Sequence, residues 1–230
     1  MTTSSCPCST AYFTRLTSND PAGWLEVAYH RFALGDDTSA ADWRRHLFAF
    51  AHADNVASAA ACAEVGLGET ARAQGDYGQA GKRFTAALAL YRQMGDRQGQ
   101  ANALRGLGDT AREQGDYGQA GAPFTAALAL YEQIGDRQGQ ANALLGFGET
   151  ARAQGDYGQA SERLTAALAL YEQIGDRRGQ ANALDRLGNT ARARGDGEKA
   201  RALLTRAARI FDALGLQQDA ERARHDIPDP

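Results

Sequence analysis

Arg72, Arg112, Arg152 and Arg192 recur at intervals of 40 residues, each three places after Glu69, Asp109, Glu149 or Asn189. Asn102, Asn142 and Asn182 keep the same interval. A guanidinium is a rigid fork of donors that matches a carboxylate, and an Asn amide both donates to and accepts from a peptide group. These residues suit recognition, not bond making. The acidic row beside the arginines would hold the guanidiniums and offset much of their charge; at i,i+3 spacing such pairs also stabilise a helix by a few tenths of a kcal/mol. Residues suited to other chemistry collect in the N-terminal third: His30, His46 and His52 with Asp42, Asp54, Trp24 and Trp43. They could serve acid–base catalysis or close off a cap with aromatic surface. His46 and His52 are six apart and cannot chelate from one helical face. Cys6 and Cys8 flank Pro7 with no His nearby, a weak pattern for a soft metal. No Gly-rich phosphate loop, nucleophile elbow, metalloprotease helix or paired-Cys zinc pattern occurs, so no cofactor or metal is expected.

What must position the polar residues is a repeat. Ala61–Gln100, Ala101–Gln140, Ala141–Gln180 and Ala181–Ala220 align without gaps, and the second block matches both the first and the third at 31 of 40 positions. A domain with one core would not tolerate this, because each position meets a different environment; a solenoid does, since each unit contacts only its neighbours. Each unit divides at Gly-Asp. Gly115 supplies the left-handed residue that ends one helix and Asp116 caps the next, with Gln119 completing a capping box. The spacing predicts helices over Gln138–Gln154 and Tyr157–Gln173, the other units following by steps of 40. Phe84, Phe124 and Leu164, Leu88, Leu128 and Leu168, and Tyr91, Tyr131 and Tyr171 form an apolar stripe on the second helix. On the first, Gln98, Asn102, Arg105, Asp109 and Arg112 are spaced 4, 3, 4, 3 and share a face. Their counterparts are Gln138, Asn142, Leu145, Glu149 and Arg152, then Arg178, Asn182, Asp185, Asn189 and Arg192, with Ser58, Cys62, Val65, Glu69 and Arg72 in the first unit. Strand signals are absent.

Composition narrows the function. The chain has 230 residues, 25 Lys+Arg and 28 Asp+Glu, and a formal charge of −3. This balance lacks the basic face that nucleic acid demands, so no direct nucleic-acid binding is expected. Apolar stretches such as 84–91 fall far short of the ~20 residues of a membrane span. No basic region and apolar core open the sequence, and three cysteines cannot close a disulfide framework; both point to the cytoplasm. Ala and Gly together supply 73 residues, which suits helices packed closely over small side chains. The alanine-rich, lysine-poor composition fits a GC-rich bacterial genome.

Ala103-Leu104-Arg105-Gly106-Leu107-Gly108, then Gln114-Gly115-Asp116-Tyr117-Gly118-Gln119-Ala120, Phe124, Ala127 and Leu128 resemble the tetratricopeptide repeat (TPR) signature, with Gly108, Ala120 and Ala127 at its small-residue positions. The 40-residue length is similar to the repeats of Pins/LGN-type scaffolds and of TPR tails in bacterial regulators. Glu64 in place of Leu, Pro123 inside a second helix and Gly197 in place of Tyr depart from the pattern, and Pro123 should kink its helix or delay its start. The resemblance implies an all-α, right-handed solenoid of antiparallel helix pairs whose first helices line a concave groove. The expected organisation is a disordered tail over 1–19, a divergent helical pair over 20–53, four repeats over 54–215, and a capping helix and tail over 216–230. The implied function is non-enzymatic: a scaffold, adaptor or sensor arm of a regulatory system. It would bind a protein or peptide segment through Asn102, Asn142, Asn182, Arg72, Arg112, Arg152, Arg192, Arg105, Glu69, Asp109 and Glu149, as a monomer or weak dimer. The alternative is an enzyme or small-molecule binder with its site among the His and Trp residues of the N-terminal third.

Overall fold

The computed structural model describes residues 53–228, and these form nine α-helices and no strand. The order is α1 (Ala53–Ala73), α2 (Tyr77–Met94), α3 (Arg97–Gln114), α4 (Tyr117–Ile134), α5 (Arg137–Ala153), α6 (Tyr157–Ile174), α7 (Arg177–Ala193), α8 (Gly197–Ala213) and α9 (Gln217–His225). The tail and helical pair expected before residue 53, with Cys6, Cys8, Trp24, His30, Asp42, Trp43, His46 and His52, lie outside the described residues.

Two residues make each turn. Gly115 adopts φ +86° and donates its N–H to the Arg112 carbonyl, while the Asp116 N–H reaches back to Ala111 at 2.8 Å. That pair of bonds closes α3 and satisfies its last carbonyls. Asp116 then opens α4 by accepting from the Gln119 N–H at 3.1 Å. The expected capping box is only half built. The Asp116 N–H is already spent on Ala111, so the Gln119 amide donates instead to the Asp116 carboxylate at 2.5 Å. Pro123 neither delays nor divides α4, which starts at Tyr117 as the neighbouring second helices start at Tyr77 and Tyr157.

Packing proceeds from each helix to the next, and the first helices also touch across units, α1 on α3, α3 on α5 and α5 on α7, with no comparable contact among second helices. The first helices therefore form the inner edge of the curve. Small residues make the approach possible. Ala120 and Ala127 are fully buried, and a Cβ on Gly108 would sit 2.9 Å from the Phe124 ring. Gly139, on the next unit's first helix, faces Tyr131 so closely that a Cβ there would overlap the ring. The core is a row of small clusters along the axis, one of them around Ala101, Ala127, Tyr131 and Ala143. At the end of the row α9 closes the last cluster with Ala220 and Ala223, against Leu184 and Phe211.

Candidate recognition face

The inner face carries the residues that the spacing places together, and most are held from behind by the next element. The Gln98 amide donates to Asp136, the N-cap of α5, at 2.9 Å, and Gln138 makes the same bond to Asp176 at 3.2 Å. Asn102 Oδ1 accepts from the Tyr131 hydroxyl at 2.7 Å, and Asn142 Oδ1 accepts from Tyr171 at 2.7 Å. Cys62 Sγ lies 3.6 Å from the Tyr91 hydroxyl at the same position of the first unit. In the fourth unit Phe211 has no hydroxyl to hold Asn182. The three tyrosines, which the apolar stripe assigns to the core, are indeed buried, and Tyr131 and Tyr171 also orient the amides. Each Asn–Tyr pair is 29 residues apart, a recurrence the sequence contains but helical periodicity within one element does not expose. With Oδ1 occupied, the Nδ2 hydrogens of Asn102 and Asn142 make no bond to a described residue and remain as donors.

The charged residues form pairs that run along the axis. Arg72 meets Glu69 on its own helix and Glu113 of the next unit at 2.9 Å, with Asp109 at 3.8 Å. Arg105 binds Asp109 at 2.9 Å. Arg112 reaches Asp109 at 3.6 Å, Glu113 at 3.3 Å and Glu149 of the following unit at 3.2 Å. The i,i+3 pair that spacing suggests between Glu149 and Arg152 does not form, because Glu149 turns to Arg112 and to Arg186, the latter at 2.5 Å. Arg192 pairs with Asp226, which follows α9, at 3.1 Å. Glu113, Arg186 and Asp226 take part without being predicted, since each breaks the repeat: Ala stands at 73, 153 and 193 in place of Glu113, and Gly at 66, 106 and 146 in place of the other two. Burial pushes the Glu113 carboxyl up against the pull of Arg72 and Arg112. Asp185, only 1% exposed, is likewise raised by burial, with Arg186 and Arg222 opposing and Asp226 and Asp219 adding to the rise.

No cluster of three or more His, Cys, Asp and Glu among the described residues is placed to hold a metal, and no described helix is long and apolar enough to cross a membrane. No curated protein matches the sequence. Solved structures share the fold at low identity. BtubC (BKLC) from P. vanneervenii is 20% identical with a TM-score of 0.70, over 85% of this chain and 82% of that one. A Rap protein solved in complex with Competence and Sporulation Factor is 16% identical with a TM-score of 0.66, over 88% of this chain and 57% of that one. A signal transduction ATPase with numerous domains and a tetratricopeptide repeat sensor, from Pyrococcus horikoshii, is 14% identical with a TM-score of 0.70, over 88% of this chain and 31% of that one. The tetratricopeptide repeat family model matches residues 59–133 and again 139–213, each match spanning two of the helix pairs described above. Paired helices, Gly-Asp turns, small residues at the close approaches and this double match have one meaning: the chain belongs to the tetratricopeptide repeat family.

Proposed function

We propose that the chain is a non-enzymatic interaction module that holds an extended polypeptide segment along the inner face of its first helices. The observation that carries this reading is the orientation of Asn102 and Asn142: each gives its oxygen to a buried tyrosine and keeps its N–H groups unspent. An Asn amide held in this way presents donors to a peptide carbonyl without losing further rotamer entropy on binding. Units stack at roughly 10 Å and an extended peptide rises about 3.3 Å per residue, so each unit meets about three ligand residues. Asn182 extends the row, and Arg72, Arg105, Arg112, Arg152 and Arg192 with Glu69, Asp109 and Glu149 form its charged border.

A sensor arm in a bacterial, cytoplasmic regulatory system is the setting we favour. The shared fold with a Rap protein bound to Competence and Sporulation Factor and with a signalling ATPase sensor supports that setting. The chain spans 57% and 31% of those two proteins. We propose a monomer or weak dimer; an obligate large assembly in sedimentation velocity would overturn this.

The test is a phage-displayed peptide library selected on the full chain, with the selected peptides rebound to variants. Asn102→Ala/Asn142→Ala should abolish binding, whereas Trp43→Ala/His46→Ala should preserve it. The reverse pattern would move the site to the N-terminal third and sink the groove reading.

A further inference from the structure

The charged ladder follows one rule and breaks it once. Arg72 finds its acids in the next unit at Asp109 and Glu113, Arg112 finds Glu149, and Arg192 finds Asp226. The Arg152 side chain, at the same position, makes no ion pair or hydrogen bond with any described residue. Three local facts cause this. Asn189 stands where the rule requires an acid. Ala153 stands where the second unit has Glu113. Glu149, one turn back, is drawn to Arg112 and Arg186.

The residue at the acid's position is a held amide. The Asn189 amide donates to Asp226 at 3.2 Å and to Asp185 at 3.5 Å, which fixes its orientation. Its Oδ1 is left shielded from solvent and without a partner, as is Arg152 Nε. The Nε atoms of Arg72 and Arg112 are unbonded too, so the terminal nitrogens set Arg152 apart. A partly buried guanidinium with no acid beside it carries uncompensated charge on a face where the equivalent charges are matched.

We propose that Arg152 is a reading position for one carboxylate of the bound polypeptide, an Asp or Glu side chain. This inference rests on the groove reading above. The ligand supplies from outside what Asp109 and Glu149 supply within the chain. A carboxylate fits better than a phosphate for two reasons. The partners that Arg72, Arg112 and Arg192 take are carboxylates, and a planar guanidinium matches one in a two-pronged bond. The Asp185 and Asp226 carboxylates around Asn189 would also repel a dianion more than a monoanion. The resulting specificity is local: an acidic residue is selected at the junction of the third and fourth units and disfavoured beside the acids of the earlier ones.

The test follows the arginine Nε–Hε resonances of the full chain by NMR, at constant ionic strength set with sodium chloride. Sodium acetate should shift Arg152 saturably and leave Arg72 and Arg112 nearly still. Capped Gly-Glu-Gly should produce the same shift at several-fold lower concentration, and capped Gly-Gln-Gly should produce none. Ala153→Glu places an acid beside Arg152 as Glu113 sits beside Arg112, on an exposed helix end where folding is not at risk. It should erase both responses with an unchanged circular dichroism spectrum. If Arg152 responds no more than Arg72 and Arg112, the proposal falls. A response to acetate that equals or exceeds the response to the Glu peptide overturns the polypeptide assignment in favour of a small carboxylate. Glu-specific shifts that persist in Asn102→Ala/Asn142→Ala, with library peptides also unaffected, would keep the Arg152 site and sink the groove reading instead.

Discussion

Gly139 shows how a residue without a side chain can control one that has chemistry. A Cβ at this position would overlap the Tyr131 ring, whose hydroxyl holds Asn102. Gly139→Ala should therefore cost about 1–3 kcal/mol from overpacking, read as a lower urea midpoint, and should also loosen Asn102. Asp185 offers a test by pH. Its folded-state pKa is raised by burial, so its contribution to stability is most favourable in acid and is lost as pH rises through the folded value. Asp185→Asn removes that penalty. It should raise the melting temperature at pH 7, and the advantage should vanish towards pH 3. A constant advantage at every pH would assign the effect to something other than the charge. At this scale the sequence was half legible. The spacing of 4, 3, 4, 3 puts Gln98, Asn102, Arg105, Asp109 and Arg112 on one face. It could not show that tyrosines of the second helix orient the amides, nor that Glu149 turns away from Arg152, because both depend on contacts between elements.

Among the elements, α4 is the informative exception. Pro123 cannot donate to the Gln119 carbonyl, yet α4 has the length and start of its neighbours. The helix survives because its ends are fixed by Asp116 and Gly135 and its stripe is buried at Ala120, Phe124, Ala127 and Tyr131. Packing against α3 and α5 outweighs one missing bond. The cost is still present and should be recoverable. Pro123→Arg, which copies the residue at 83 and 163, should stabilise the chain by about 1–3 kcal/mol in chemical denaturation, with no change in helical content. In the flanking units that position is engaged: Arg83 binds Glu64 at 3.2 Å, and Arg163 lies over the Phe147 ring at 4.8 Å. The Arg83 pair gives Glu64, a departure from the repeat pattern, its physical role. Helix boundaries were the most readable part of the sequence, since Gly-Asp carries both a stop and a start. The expected kink or late start at Pro123 weighed the local rule without the packing that overrides it.

For the whole molecule, the period of 40 makes units exchangeable. Deleting Ala101–Gln140 in register should yield a shorter folded protein, because Arg72 would then face Glu149 as Arg112 does now, and Tyr91 would keep its contact with Gly99. Circular dichroism and gel filtration should report a helical, compact product; an unfolded one would contradict a chain held together by nearest neighbours alone. The inner edge has a further property. Its first helices are joined from unit to unit by several charge pairs, whereas the described second helices share only that between Arg206 and Glu172 at 2.8 Å. Salt screens partly exposed pairs, and the screening length falls from about 10 Å at 0.1 M to about 3 Å at 1 M. Ionic strength thus acts mainly on one side of the curve, relaxing the inner edge more than the outer. The superhelix should uncoil as salt rises, seen as a larger maximum dimension in small-angle scattering at constant helicity, which makes this protein a spring whose rest length is set by the ions around it.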